Sequence, residues 1–88
     1  MKKRIVLSVK NICRADSAFA ESVAKEIIGE IGNCDSVTLD FSGIVSVGEP
    51  FVSELFSVWH KNNPHVVLNI VGASSVVADD IEDAFRAR

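Results

Sequence analysis

Residues 37–59 read Val37-Thr38-Leu39-Asp40-Phe41-Ser42-Gly43-Ile44-Val45-Ser46-Val47-Gly48-Glu49-Pro50-Phe51-Val52-Ser53-Glu54-Leu55-Phe56-Ser57-Val58-Trp59. The opening part alternates. Val37, Leu39 and Phe41 share one side and Thr38 and Asp40 the other, which predicts a strand over 36–41. Ser42-Gly43 is turn chemistry. Pro50 suits the first position of a helix, where its missing N–H leaves nothing unpaired. Phe51, Leu55, Val58 and Trp59, with Val52 and Phe56 beside them, form one broad apolar face. A strand that delivers an acidic residue and a glycine-punctuated loop to a helix N-terminus is a place where an α/β domain builds a site. Backbone N–H groups and the helix dipole converge there and favour negative charge.

The flanking sequence repeats this strand-then-helix pattern. Residues 4–10 alternate, with Ile5, Leu7 and Val9 on one side and Arg4, Val6, Ser8 and Lys10 on the other. Asp16 or Ser17 can cap a following helix. Phe19, Val23, Ile27 and Ile31 give that helix a stripe, which Ala20, Ala24 and Ile28 widen, and Gly32-Asn33 stops it. Asn62-Asn63-Pro64 ends the helix that begins at Glu49. Residues 65–71 predict a third strand, with Val66, Leu68 and Ile70 on one face and Val67, Asn69 and Val71 on the other. Ser74 or Ser75 caps a last helix with Asp79 and Asp80 near its start, Arg86 and Arg88 at its end, and Val77, Ile81 and Phe85 as its stripe.

The expected fold is therefore one small α/β domain over 1–88 in β-α-β-α-β-α order. Its sheet is mostly parallel, with right-handed crossovers. Strands buried on both sides read as continuous apolar runs, whereas these alternate. The helices are thus expected on one face only, with strand order 1-2-3. The opposite face carries Val6, Ser8, Thr38, Asp40, Val67, Asn69 and Val71, half of it apolar and available to a protein interface.

Composition narrows the class. Eighty-eight residues supply one core, and at that size folding removes only about 60–65% of the chain's surface from water. Hydrophobic residues make up 48% while Gly and Pro are few, so the chain is globular rather than disordered. A net charge of −3 argues against nucleic acid, and Lys2, Lys3 and Arg4 form only a short basic start to a strand. The apolar run that follows breaks at Ser8 and Lys10, too short for a secretory core, and no segment reaches the roughly 20 apolar residues that span a bilayer. Cys13 and Cys34 make no C-x-x-C pair and read as free thiols, so the expected location is the cytoplasm.

Catalysis finds no constellation. A phospho-accepting Asp40 would need an acidic pair at the end of an earlier strand and a lysine late in the chain. The first strand instead ends Val9-Lys10-Asn11, and no lysine follows Lys61. Asp40 is expected to order the Ser42-Gly43 turn by accepting backbone N–H groups. Ser42, Ser46 and Ser53 have no histidine near them. His60 and His65 are separated by a helix end and Pro64 and lack a third ligand, so no metal is expected. Gly43 and Gly48 form neither a dinucleotide fingerprint nor a phosphate loop. No cofactor and no enzymatic activity are expected, and Phe51, Phe56 and Trp59 are expected in the core.

At this junction the chain resembles the STAS domain (sulphate transporter and anti-sigma factor antagonist), and more closely the bacterial STAS-like family of unknown function. The residues that carry the resemblance are 37–44, Val47-Gly48-Glu49-Pro50-Phe51, Glu54-Leu55-Phe56 and Asn63-Pro64-His65-Val66 with Leu68. It covers about 37–88, and the first 36 residues match weakly. Other STAS domains bring an antiparallel strand pair before the strand that ends in Asp40, where this chain reads as one strand and a helix. Anti-sigma antagonists carry a phosphorylated serine in a D-S-[ST]-G turn at the start of the next helix. Here Gly48-Glu49-Pro50-Phe51 holds that place, and no hydroxyl is present at Glu49 or Pro50.

The resemblance implies a non-enzymatic, regulatory protein-interaction module, whose partner would be a kinase-like, ATP-binding regulator of the anti-sigma type. Glu49 would hold a fixed negative charge where relatives carry a reversible one. The expected partner-binding residues are Asp40, Ser42, Gly43, Ser46, Gly48, Glu49, Ser53 and Glu54, with Ser57 on the same helix edge. Self-association through the open sheet face or a sheet edge is a further expectation. The alternative is a small ligand- or anion-sensing domain that uses the helix N-termini at Glu49 and Ser74-Ser75.

Overall fold

The apolar alternation at the start of the chain builds a strand, β1 (Arg4–Ser8), whose Ile5 and Leu7 pack against the core. The structure, a computed structural model, describes residues 3–86; Lys2 of the basic start and Arg88 of the last helix lie outside the described residues. β1 is shorter than the 4–10 that alternation suggests. Ser8 Oγ accepts the Asn11 N–H at 3.2 Å, and this cap turns the chain into a short helix, α1 (Val9–Cys13). Val9 is buried, but from a helix.

Neither Asp16 nor Ser17 caps the next helix. Ser17–Ala18 forms a two-residue strand, β2, and α2 (Glu21–Ile31) starts after Ala20 without a side-chain cap. Phe19, expected at the head of the stripe, lies outside the helix and is 56% exposed. Ala24, Ile27 and Ile31 keep the buried face. Glu21 and Lys25, one turn apart, meet at 2.8 Å on the solvent side. The helix stops at Gly32 (φ 56°), whose N–H donates to the Ile28 carbonyl at 3.4 Å.

β3 (Ser36–Asp40) is followed by Phe41, fully buried just beyond the strand, and by a second two-residue strand, β4 (Ser46–Val47). β4 runs parallel to β2, with Ser17 opposite Ser46 and Ala18 opposite Val47. Residues 49–62 then form a continuous helix in three stretches: α3 (Glu49–Val52), a π-helical stretch (Ser53–Trp59) and α4 (His60–Asn62). His60 donates to the Leu55 carbonyl five residues back, the wider coil that apolar spacing alone does not distinguish from an α-helix. Phe51 and Phe56 are buried and Trp59 packs beside them, whereas Val58, expected on the apolar face, is exposed. The last strand, β5 (Val67–Val71), begins two residues later than the 65–71 expected, because a turn closes at Asn63, whose carbonyl accepts the Val66 N–H at 3.1 Å. In α5 (Ser75–Arg86), Ser74 supplies the cap: its Oγ accepts the Val77 N–H at 3.3 Å.

The three long strands are parallel in the order β1-β3-β5. The inward rows are Ile5, Val37, Leu68 and Leu7, Leu39, Ile70. The outward row Val6, Thr38, Asn69 leaves Val6 71% exposed, because the helices cover the other face. Against that covered face sit Ile27, Phe41, Phe51, Leu55 and Val77. Ser57 Oγ donates to the Ala84 carbonyl at 2.8 Å and Phe56 meets Phe85 at 5.4 Å between ring centroids, which binds the 49–62 helix to α5. Three long strands and three main helices are present, but the order departs from the simple β-α-β-α-β-α expected, because α1 and the β2–β4 ladder intervene. Both cysteines are free, Cys34 buried and Cys13 half-buried.

Candidate functional site

The end of β3 is ordered by its own side chain. Asp40 Oδ1 accepts the Ser42 N–H at 2.9 Å, as the Asp-x-x turn chemistry requires. Phe41 donates to the Val71 carbonyl at 2.9 Å and Ile44 to the Phe41 carbonyl at 3.0 Å, so the turn is tied both to β5 and to itself. Lys10 of α1 crosses this turn: a methyl group built on Gly43 would lie 2.8 Å from Lys10 Cδ. The Ser42 hydroxyl, and then its N–H, hold the Asp40 carboxyl below its ordinary pKa.

That direction sets a pH dependence. A carboxyl with a depressed folded-state pKa contributes stability above its unfolded pKa and loses it as acid protonates the folded form. Asp40→Asn is expected to lower the melting temperature at neutral pH, and the gap to the wild type to close as pH falls below about 4. Thermal unfolding followed from acid to neutral pH checks this, and a gap that stays constant would contradict it.

Beyond the turn the loop is clamped to the segment around β2. Val45 N–H reaches the Asp16 carbonyl at 2.7 Å, Gly48 N–H the Ala18 carbonyl at 2.9 Å, and Phe51 N–H the Phe19 carbonyl at 3.2 Å. Ser46 Oγ lies 3.1 Å from Ser17 Oγ. Gly48 is required by close approach, since a methyl group there would stand 3.0 Å from Phe19 Cα and 3.1 Å from its carbonyl oxygen. The clamped backbone presents two large apolar side chains to solvent, Val45 at 61% and Phe19 at 56% exposure.

A groove of about 360 Å³ follows, between the start of the 49–62 helix and α5. Gly48, Glu49, Ser53 and Ser57 line one side and Asp80 and Asp83 the other, over a floor that includes Val47, Val52 and Ala84. The residues expected from sequence therefore separate. Gly48, Glu49 and Ser53 share the groove; Asp40, Ser42 and Gly43 form the turn at the strand end; Ser46 lies in the β2–β4 ladder. Glu54 belongs elsewhere, because its charge acts on Lys25 of α2, where it adds a minor contribution to a pKa raised mainly by Glu21. Among the described residues no three His, Cys, Asp or Glu side chains gather as a metal site, and no helix is long and apolar enough to cross a membrane.

The family model of the STAS-like domain of unknown function (DUF4325) matches residues 23–78, more than half of the chain. The chain belongs to this family. No curated protein and no solved structure matches it. The matched part of this STAS-like domain starts inside α2, earlier than the resemblance read from sequence, and stops in the first turn of α5. Every expected site residue falls within it. Phe19, Lys10, Asp80 and Asp83, which complete the turn, the apolar pair and the groove, fall outside it. None of these four is among the site residues expected from sequence. Phe19 fits a helical stripe, and the others reach the site through tertiary contacts that no local period announces.

Proposed function

We propose that this STAS-like domain is a non-enzymatic, regulatory interaction module. It docks a protein partner through the 42–49 loop and the exposed edge of the 49–62 helix. The observation that carries the reading is the clamped loop: two hydrogen bonds from its backbone, and a third from the helix start at Phe51, hold it to residues 16–19 while Val45 and Phe19 stand out in water. Apolar groups held in place before binding lose little freedom when a partner covers them, so a rigid apolar pair is an efficient anchor. Glu49 sets a fixed negative charge beside that pair, at the start of the helix, and Asp80 and Asp83 extend it along the groove. The surface that fits is apolar with a basic margin. By family resemblance the partner class is a kinase-like, ATP-binding regulator, and the free thiols fit a reducing cytoplasm.

Anion sensing at the helix N-termini is the weaker reading. Three carboxylates, those of Glu49, Asp80 and Asp83, line the groove, and the Ser74 hydroxyl already satisfies the Val77 N–H at the other helix.

The test starts from affinity capture of the partner with the purified domain, followed by titration of the captured protein. The double substitution Phe19→Asp, Val45→Asp is expected to weaken binding at least about tenfold, because both side chains sit in the contact. Glu49→Gln is expected to weaken it less, and neither variant should shift the melting temperature by more than a few degrees. Unchanged affinity in both variants would overturn the reading. A thermal shift with millimolar phosphate or nucleotide would move the assignment to ligand sensing, since binding to the native state alone raises apparent stability.

A further inference from the structure

β5 is an edge strand, and its sequence Val67-Leu68-Asn69-Ile70-Val71 reads chemically the same in both directions about Asn69. From this and the free groups along its edge we infer that two copies of the chain pair through β5, antiparallel, about a two-fold axis at Asn69. The inference is independent of the docking reading above.

Hydrogen bonding fixes which groups are free. Val67 donates to the Asp35 carbonyl at 2.9 Å, and the Val71 carbonyl accepts from Phe41 at 2.9 Å, so residues 67, 69 and 71 turn their backbone groups towards β3. Alternation then turns the N–H and C=O of Leu68 and Ile70 outward, and among the described residues nothing is bonded to them. In an antiparallel pair, the two residues of a hydrogen-bonded couple exchange both bonds. With Asn69 opposite Asn69 of the second copy, Leu68 of each copy falls opposite Ile70 of the other, and all four outward-facing residues find partners. Val67 then falls opposite Val71 on the open face, where they are 58% and 45% exposed. Asn69 forms the close, non-hydrogen-bonded couple, in which its amide side chains can pair across the axis.

Charge separates this edge from the other. β1 begins with Arg4 and follows Lys3, like charges of the kind that keep an edge from pairing with itself. β5 carries no charge at any of its five positions. The pairing is isologous and uses up both β5 edges, so it closes at two copies. Five-residue strands cover less area than a permanent interface needs, and the dimer is expected to be reversible in the micromolar-to-millimolar range.

Sedimentation equilibrium from about 10 µM to about 1 mM reads the result. The wild type is expected to rise towards twice the 9.5 kDa monomer mass, while backbone amide exchange at Leu68 and Ile70 slows with concentration. Asn69→Lys and Asn69→Asp each place like charges face to face across the axis and are expected to stay monomeric. An equimolar mixture of the two is expected to recover the dimer, a rescue that requires residue 69 to lie opposite itself. Val6→Lys, on the same face but at the far edge, is expected to dimerise as the wild type does. A monomer throughout, a dimer that survives Asn69→Lys, a mixture that does not recover, or loss of the dimer in Val6→Lys, which would point to face-to-face packing, would each overturn the pairing.

Discussion

Gly72→Val is expected to lower stability by about 2–5 kcal/mol and the melting temperature by about 10–25 °C. Two independent costs add here. Gly72 has φ +71°, a left-handed conformation in which an L residue loses about 1–2 kcal/mol and a β-branched one more. The added Cβ would also stand 2.4 Å from Ser42 Oγ, 2.6 Å from Asp40 Oδ1 and 2.9 Å from Ser42 N. The last atom is backbone, fixed by its own bond to Asp40, so the conflict is relieved only by opening the Asp40–Ser42 turn. A domain of this length has a total stability of about 4–13 kcal/mol, which makes the loss a large share of it. Urea unfolding followed by circular dichroism measures it. A midpoint shift worth less than about 1 kcal/mol would mean that the turn yields freely and does not hold the strand ends together.

The same turn shows what a one-dimensional reading reaches. The Asp40–Ser42 bond spans two residues, and the chemistry of an aspartate before a turn announces it. Gly72 and Lys10 arrive at that turn from β5 and α1, and no spacing near residue 40 implies either. The frame follows the same division. Alternation at Val37, Leu39 and at Leu68, Ile70 is a local signal with period two, and both strands form where it runs. It continues through Val9 as well, yet there the Ser8 cap competes for the chain and wins, a choice that a buried valine satisfies in either conformation. Phe19 stands four residues before Val23 and fits a helical stripe equally well. Instead it follows the β2–β4 ladder directly, and its carbonyl is taken by the Phe51 N–H from a segment some thirty residues away, so it stays outside the helix. Burial period therefore located the sheet and its covering helices. The loop that carries the candidate site depends on long-range backbone hydrogen bonds, whose donors and acceptors are the same in every residue type but proline and leave little mark on the sequence.

Phe51→Ala is expected to cost about 3–5 kcal/mol, the usual loss for truncating a fully buried phenylalanine. Phe51 is completely buried and meets Phe41 edge-on, with ring centroids 6.4 Å apart and planes at 77°. That arrangement contributes about 0.5–1.5 kcal/mol beyond the area buried, so a double-mutant cycle with Phe41→Ala should return a coupling of that size. Phe51→Leu, which refills most of the space, should recover the larger part of the loss. The residue also links core to surface. Its N–H donates to the Phe19 carbonyl at 3.2 Å, and one turn of helix separates it from the Gly48 backbone that lies against Phe19. A cavity beneath Phe51 lets the helix start settle inward and slackens the clamp that presents Phe19 and Val45. Amide exchange at Val45 and Gly48 should therefore quicken in Phe51→Ala by more than the global loss of stability explains. If those amides follow global unfolding alone, the loop is held by its own hydrogen bonds and not by the core, and the apolar pair would stay in place even in a weakened domain.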